Sequence, residues 1–281
     1  MTMSVEFFTD FQSKLYNEYG YTMDKLNPTM NYWCYHTLSQ ERVYREIRYH
    51  NYHFHYADKL NDRRKEVKKV LEIGVFRGHS MLMWKDYFPN AQIYGIDIDY
   101  SQHHFGVNAK ELCEDEERIT LFEMDACNPI NVKLLMRSIG NDFDVIIDDG
   151  SHHPIHQLFS LLYYTDYLKD DGIFVVEDVF LSKLFDRSFL DYFNQPFNLF
   201  TKEKFFFDEI LNKGKINLSD YGLSDNSKEQ KLQNIIKNWN IDIREPKPYI
   251  MTLQDIDLQG NSKQQRINNR QGIVFFNKPN Q

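Results

Sequence analysis

Five apolar runs of strand length, Val70–Val75, Gln92–Ile98, Ile119–Met124, Val145–Ile147 and Gly172–Val176, follow one another from Lys68 onward, each separated from the next by a longer amphipathic segment. A strand that is apolar throughout is buried on both faces, which happens when helices cover a parallel sheet from both sides. The pattern therefore predicts an α/β fold with a doubly wound, mostly parallel sheet. At 281 residues and 42% hydrophobic content, the chain can build one large core, alone or with an insertion. Residues 1–66 are rich in Tyr, His and charge, carry helix-like stretches at Phe7–Tyr19 and Gln40–Leu60, and read as a helical N-terminal extension. The remainder, 67–281, reads as the main domain. Within it, residues 180–246 break the rhythm: an aromatic stretch with Phe205, Phe206 and Phe207 precedes the polar segment Asn217–Gln233, as expected of an insertion or lid. Two further strand candidates, Tyr249–Leu253 and Gly272–Phe276, are expected to form a closing antiparallel pair.

Charge narrows the partners. With 33 Lys and Arg against 41 Asp and Glu, the net charge is -8, so no sequence-wide field draws the chain to phosphate backbones or anionic lipid. Nucleic acid and membrane are not expected partners. No apolar stretch approaches the roughly 18 residues needed to span a bilayer. Met1 to Gly20 also lacks the basic start and apolar run of a signal peptide. Cys34, Cys113 and Cys127 are few, odd in number and without metal-ligand spacing, which fits structural roles in a reducing compartment. A cytoplasmic chain is the expectation.

The first apolar run ends Val70-Leu71-Glu72-Ile73-Gly74 and continues through Val75-Phe76-Arg77-Gly78-His79-Ser80 into a helical pattern. Open α/β sheets bind ligands at the carboxyl ends of their strands, and glycine there lets backbone come close to a ligand. Gly74, Gly78 and Ser80 are candidate contacts. Phe76 and His79 stand where a dinucleotide fingerprint needs glycines, so a pyrophosphate cradle is poorly supported. Asp97 closes the next run, where a carboxylate can accept both hydroxyl hydrogens of a ribose. Asp125 follows the third and could receive an adenine amino group. Each acid alone could simply cap a turn or helix; Asp97 and Asp125 at successive strand ends, with Glu72 beside them, describe a nucleoside slot. Their charge suits a cofactor bearing an ammonium and a sulfonium better than a diphosphate.

The fourth run ends Asp148-Asp149-Gly150-Ser151-His152-His153 and the fifth ends Glu177-Asp178. If these strands are neighbours, about 4.8 Å apart, their acids can meet on one hard cation at oxygen distances of about 2.0–2.6 Å. Asp149, Glu177 and Asp178 are the candidate ligands, and an all-oxygen set fits Mg²⁺ best, with Mn²⁺ as the alternative. An imidazole exchanges its proton near neutral pH, which qualifies His152, three residues past Asp149, as a candidate general base. His153 and His156 fall on the following helix, where they line the cavity or face solvent.

These residues resemble the class I methyltransferase superfamily with its Rossmann-like sheet. They are most similar to the metal-dependent sugar O-methyltransferases that tailor macrolides and to cephalosporin-hydroxylase-like relatives. The resemblance runs from Lys69 to Val179, and its most specific element is Asp148-Asp149-Gly150-Ser151-His152 followed by Glu177-Asp178. Tyr49-His50-Asn51-Tyr52-His53 through Tyr56 and Leu60 is reminiscent of the same enzymes, whereas Phe76 replaces a glycine common in the superfamily. The resemblance implies S-adenosylmethionine as cofactor, Mg²⁺ on Asp149, Glu177 and Asp178, His152 as base, and a homo-oligomer. Asp148 then either contacts the methionine moiety or orders the strand end. The implied acceptor is a sugar hydroxyl, in a surface polysaccharide or its nucleotide-linked precursor or in a glycosylated natural product. A catechol-type enzyme and a non-catalytic S-adenosylmethionine-binding partner protein are the rival readings.

Overall fold

The five apolar runs become the strands Lys69–Ile73 (β1), Gln92–Asp97 (β2), Ile119–Glu123 (β3), Phe143–Asp148 (β4) and Leu168–Val179 (β5). The computed structural model describes residues 52–101, 108–179, 218–221, 223, 225–244 and 272–280. Two more strands, Asn240–Arg244 (β6) and Gly272–Asn277 (β7), complete a seven-stranded sheet in the order β3-β2-β1-β4-β5-β7-β6. β1 to β5 pair in parallel, while β7 runs antiparallel to both β5 and β6. The doubly wound, mostly parallel reading is confirmed.

Helices cover both faces. Side chains alternate along each strand, so Leu71 and Ile73 of β1 join one apolar cluster and Val70 the other. Pro129–Ile139 and Pro154–Tyr164 supply the first face, Tyr52–Leu60 and His79–Tyr87 the second. Local chemistry sets the helix starts. Asn128 accepts the amide protons of Ile130 and Asn131 ahead of Pro129, whose missing N–H costs nothing in the first turn.

Two features differ from the sequence expectation. The partner of β7 is Asn240–Arg244, not Tyr249–Leu253, which lies outside the described residues. Asn-Ile-Asp-Ile-Arg is a short edge strand with polar alternate positions, and it follows the polar helix Asn226–Asn238, of which only Leu232 and Ile235 are buried. Both elements fall inside the block read as a lid. The second difference is at the other end of the chain. Tyr52–Leu60 (α1) belongs to the core, with Tyr52, Tyr56 and Leu60 along one helical face and all nearly inaccessible. Phe7–Tyr19 lies outside the described residues. Among those described, no helix is long and apolar enough to cross a membrane, and Cys113 and Cys127 are free thiols, each pushed up to about 12 by burial.

Candidate active site

The carboxyl ends of β1, β2, β4 and β5 lie side by side because the register pairs Ile73 with both Ile96 and Asp148, and Asp148 with Val176. The loop after β1 touches the loop after β4. Asp149 donates its amide to the Ile73 carbonyl (2.9 Å), and a β-carbon on Gly74 would stand 2.1 Å from the Asp149 carbonyl oxygen. Gly74 also has φ +89°, a left-handed conformation that side chains resist. Gly74→Ala should therefore destabilise the fold by about 2 kcal/mol or more, measured by denaturant titration; a loss of only a few tenths would contradict this packing.

On the nucleoside side, Asp97 Oδ2 accepts the amides of Val75 (2.9 Å) and Phe76 (2.7 Å), and Oδ1 accepts that of Ile98 (2.7 Å). Asp97 thus shapes the glycine loop as a turn-capping acid does. A carboxylate has about four lone-pair sites and three are taken, so about one remains for a ligand hydroxyl. Phe76, standing in for glycine, takes the left-handed φ of +52° that a glycine would, and the residue is 51% exposed. Ile98 is exposed on the other flank, so a polar anchor sits between two apolar surfaces. Asp125 is exposed one strand further and accepts the Cys127 amide (2.8 Å). Glu72 is wholly buried on β1, and Gly78 and Ser80 are buried where the first loop turns into its helix.

Across β1 stands the second group. Asp149, His152 and Asp178 each bring a donor atom within 4.8 Å of the others. His152 Nε2 is 3.6 Å from Asp178 Oδ2 and Nδ1 is 3.9 Å from Asp149 Oδ1, so the ring sits between two carboxylates. Such a set fits a divalent cation in donor chemistry: two hard oxygens and one imidazole, converging from two strand ends. Asp148 beneath it is buried, with Oδ1 held by the Gly150 amide (3.1 Å) and Oδ2 without a hydrogen-bond partner. Burial pushes its carboxyl up to about 6, against the lowering by Ser160, the Gly150 amide and His152. Glu177, the third expected ligand, is not in this cluster; its Oε1 accepts the Tyr56 hydroxyl, and Gln157 donates to its backbone carbonyl (3.0 Å). His156 pairs with the Ser151 hydroxyl (2.7 Å), and burial, then His153, lowers its pKa.

Sequence reasoning noted Tyr52 and Tyr56 only within the N-terminal segment that carries part of the resemblance and gave them no role. Tyr52 donates toward Asp178 Oδ1 and the Gly272 carbonyl, both at 3.1 Å, while Tyr56 reaches Glu177. Their i, i+4 spacing signals one helical face, but nothing local says what that face meets.

Residues 71–179 match the family described as a methyltransferase domain, a segment that starts on β1 and ends with β5 and so contains every strand end described above. Over this segment the resemblance is to methyltransferases. Among curated proteins, the chain is similar to the mycinamicin VI 2''-O-methyltransferase of Micromonospora griseorubida, 34% identical over 132 residues, 44% of this chain and 30% of that protein. It is also similar to the demethylmacrocin O-methyltransferase of Streptomyces fradiae, 33% identical over 44% of this chain and 31% of that protein. The aligned stretch thus spans under a third of each of these relatives. Among solved structures, the MycE methyltransferase in complex with Mg and SAH is similar with a TM-score of 0.49 and 21% identity, covering 82% of this chain and 50% of that one.

Proposed function

We propose that this chain is an S-adenosylmethionine-dependent O-methyltransferase that uses Mg²⁺ or Mn²⁺ to methylate a sugar hydroxyl on a glycosylated small molecule. The observation that carries this reading is the convergence of Asp149, His152 and Asp178 at the ends of β4 and β5, one strand away from a glycine loop anchored on Asp97. The named activities of curated relatives, O-methylation of mycinamicin VI, of demethylmacrocin and of a rhamnosyl tetracenomycin, support the acceptor class.

In this reading Asp149 and Asp178 hold the cation, with Glu177 as the third acid. Asp97 takes the ribose, Asp125 the adenine amino group, and Glu72, Gly74, Gly78, Ser80 and Asp148 line the methionine end. When bound, the cation supplies Lewis-acid polarisation of the acceptor oxygens, and S-adenosylmethionine supplies the electrophilic methyl group. His152 takes the proton that leaves the acceptor hydroxyl, and Asp149 and Asp178 stabilise the ring once it is charged. Holding acceptor and cofactor in register supplies much of the rate, up to about 7–11 kcal/mol of the barrier. One observation favours a second role for His152: its place among the acids makes it a third ligand as readily as a base. A homo-oligomer of the cytoplasm, with no nucleic-acid or membrane partner, completes the proposal.

The test is incubation with S-adenosylmethionine and Mg²⁺ against glycosylated macrolides, sugar nucleotides and catechols, with mass spectrometry for a product one methylene heavier. Methylation of catechols alone would replace the sugar reading, methylation of sugar nucleotides alone would point to a polysaccharide precursor, and no turnover with any acceptor would leave a binding protein.

Asp97 offers a separate check. Asp97→Ala should weaken S-adenosylhomocysteine binding by about 10- to 100-fold, since hydrogen bonds to a charged group contribute about 1.5–3 kcal/mol. Calorimetry showing unchanged affinity would remove Asp97 from the cofactor site.

A further inference from the structure

We propose that Tyr52 and Tyr56 are positioning residues for the acids at the end of β5, so that seating of α1 on the sheet is coupled to capture of a divalent cation at Asp178. This inference rests on the metal reading above and deepens it.

Adjacent strand residues point to opposite faces. Along β5, Ile173 and Val175 face the cluster that holds α1, Phe174 and Val176 face the other, and Glu177 follows the first pair toward Tyr56. Strict alternation would send Asp178 away from α1. Instead its φ is +53°, and the pairing with β7 slips between Val176 and Val179. Val179 consequently packs with Phe174 and Val176, on the face its sequence parity forbids. The slip turns Asp178 back toward α1, where Tyr52 meets it. One helix therefore reaches two consecutive acids with two phenols spaced one turn apart.

The division of oxygens gives the arrangement its function. Tyr52 engages Oδ1 of Asp178, and Oδ2 is the oxygen that faces His152. The phenol thus fixes the rotation of the carboxylate and aims one oxygen into the cluster. A phenol does this without neutralising the acid, as an arginine or lysine in its place would, so the negative charge a cation needs is kept. The helix is itself held firmly. Tyr56 packs edge-on against Trp84 (4.9 Å between ring centres) and Phe275 (5.7 Å), and the outer side of α1 is tied to β6 by Lys59–Asp242 (2.6 Å) and Asp58–Arg244 (2.7 Å). Groups that orient metal ligands from behind typically change metal affinity about 10- to 100-fold when removed.

The experiment titrates Mn²⁺ into the full chain and into its Tyr52→Phe, Tyr56→Phe and Asp58→Asn variants, reading free Mn²⁺ by electron paramagnetic resonance. The Kd for Mn²⁺ should rise about tenfold or more in both phenylalanine variants, with S-adenosylhomocysteine affinity unchanged. Asp58→Asn removes one surface ion pair while Lys59–Asp242 and the packing of Tyr56 keep α1 seated, so it should keep the Kd of the unaltered chain. Unchanged Mn²⁺ affinity in the phenylalanine variants, or an equal loss in Asp58→Asn, would overturn the inference while leaving the metal reading intact. No Mn²⁺ uptake by the unaltered chain would overturn both. Coupling is reciprocal, so Mn²⁺ should also slow amide hydrogen exchange across residues 52–60 of the unaltered chain. That measurement decides the matter should a phenylalanine variant fail to fold: equal exchange with and without the ion would refute the coupling.

Discussion

Asp149→Asn is expected to lower turnover by about a thousandfold or more while S-adenosylhomocysteine binds within a few fold of the unaltered chain. The size follows from losing a charged donor in a cluster where a cation contributes several kcal/mol to the reaction, each 1.36 kcal/mol being about tenfold in rate. The selectivity follows from the sheet. Asp149 leaves β4, Asp97 leaves β2, and β1 runs between them. Asparagine keeps the backbone amide of residue 149, which donates to the Ile73 carbonyl, so the contact between the two loops survives. Full activity of the unaltered chain in excess chelator would rule out the metal altogether. Parallel loss of cofactor and metal binding would mean that the two sites are not independent.

His152→Ala should lower kcat by about 10²–10⁴-fold, the usual contribution of a positioned acid or base, and the Mn²⁺ affinity of the same variant separates its two roles. Affinity within a few fold of the unaltered chain assigns His152 to the proton, whereas an affinity loss matching the loss in rate assigns it to the metal. The geometry makes the distinction necessary, because each ring nitrogen lies within 4.0 Å of a carboxylate oxygen. His152 also has φ +55°, a left-handed conformation uncommon for a residue with a side chain, and the loop presents the ring from it. A variant that retained near-native kcat would return His152 to a structural role.

Much of this was legible in the chain because parallel strands buried on both faces leave continuous apolar runs. β1 to β5 announce themselves in that way, and with them the strand ends that carry Asp97, Asp125, Asp149 and Asp178. The antiparallel margin does not. β6 has five residues, is partly exposed and alternates isoleucine with polar residues, so in sequence it merges with the polar helix before it. The left-handed turn at Asp178 was illegible for a different reason: Val-Val-Glu-Asp-Val continues a strand by composition, and the slip arises only from pairing with β7. Tyr52 meets Asp178 across 126 residues of sequence, Tyr56 meets Glu177 across 121, and no spacing rule links such pairs. The sheet order alone brings them together.

That order also fixes when the pocket can form. β7 lies between β5 and β6, so β6 has no neighbour to pair with until the chain has been made as far as Asn277. The Tyr52 hydroxyl that steadies Asp178 leans equally on the carbonyl of Gly272, 220 residues away. Until that residue leaves the ribosome, the growing polypeptide carries a free β5 edge, an invitation to mispairing of the kind chaperones exist to suppress. Closure by so distant a segment is slow, since the entropy of the long loop is spent before its contacts are gained. The contact that joins Tyr52, Asp178 and Gly272 therefore cannot close before β7 has been made, however early its acids are translated.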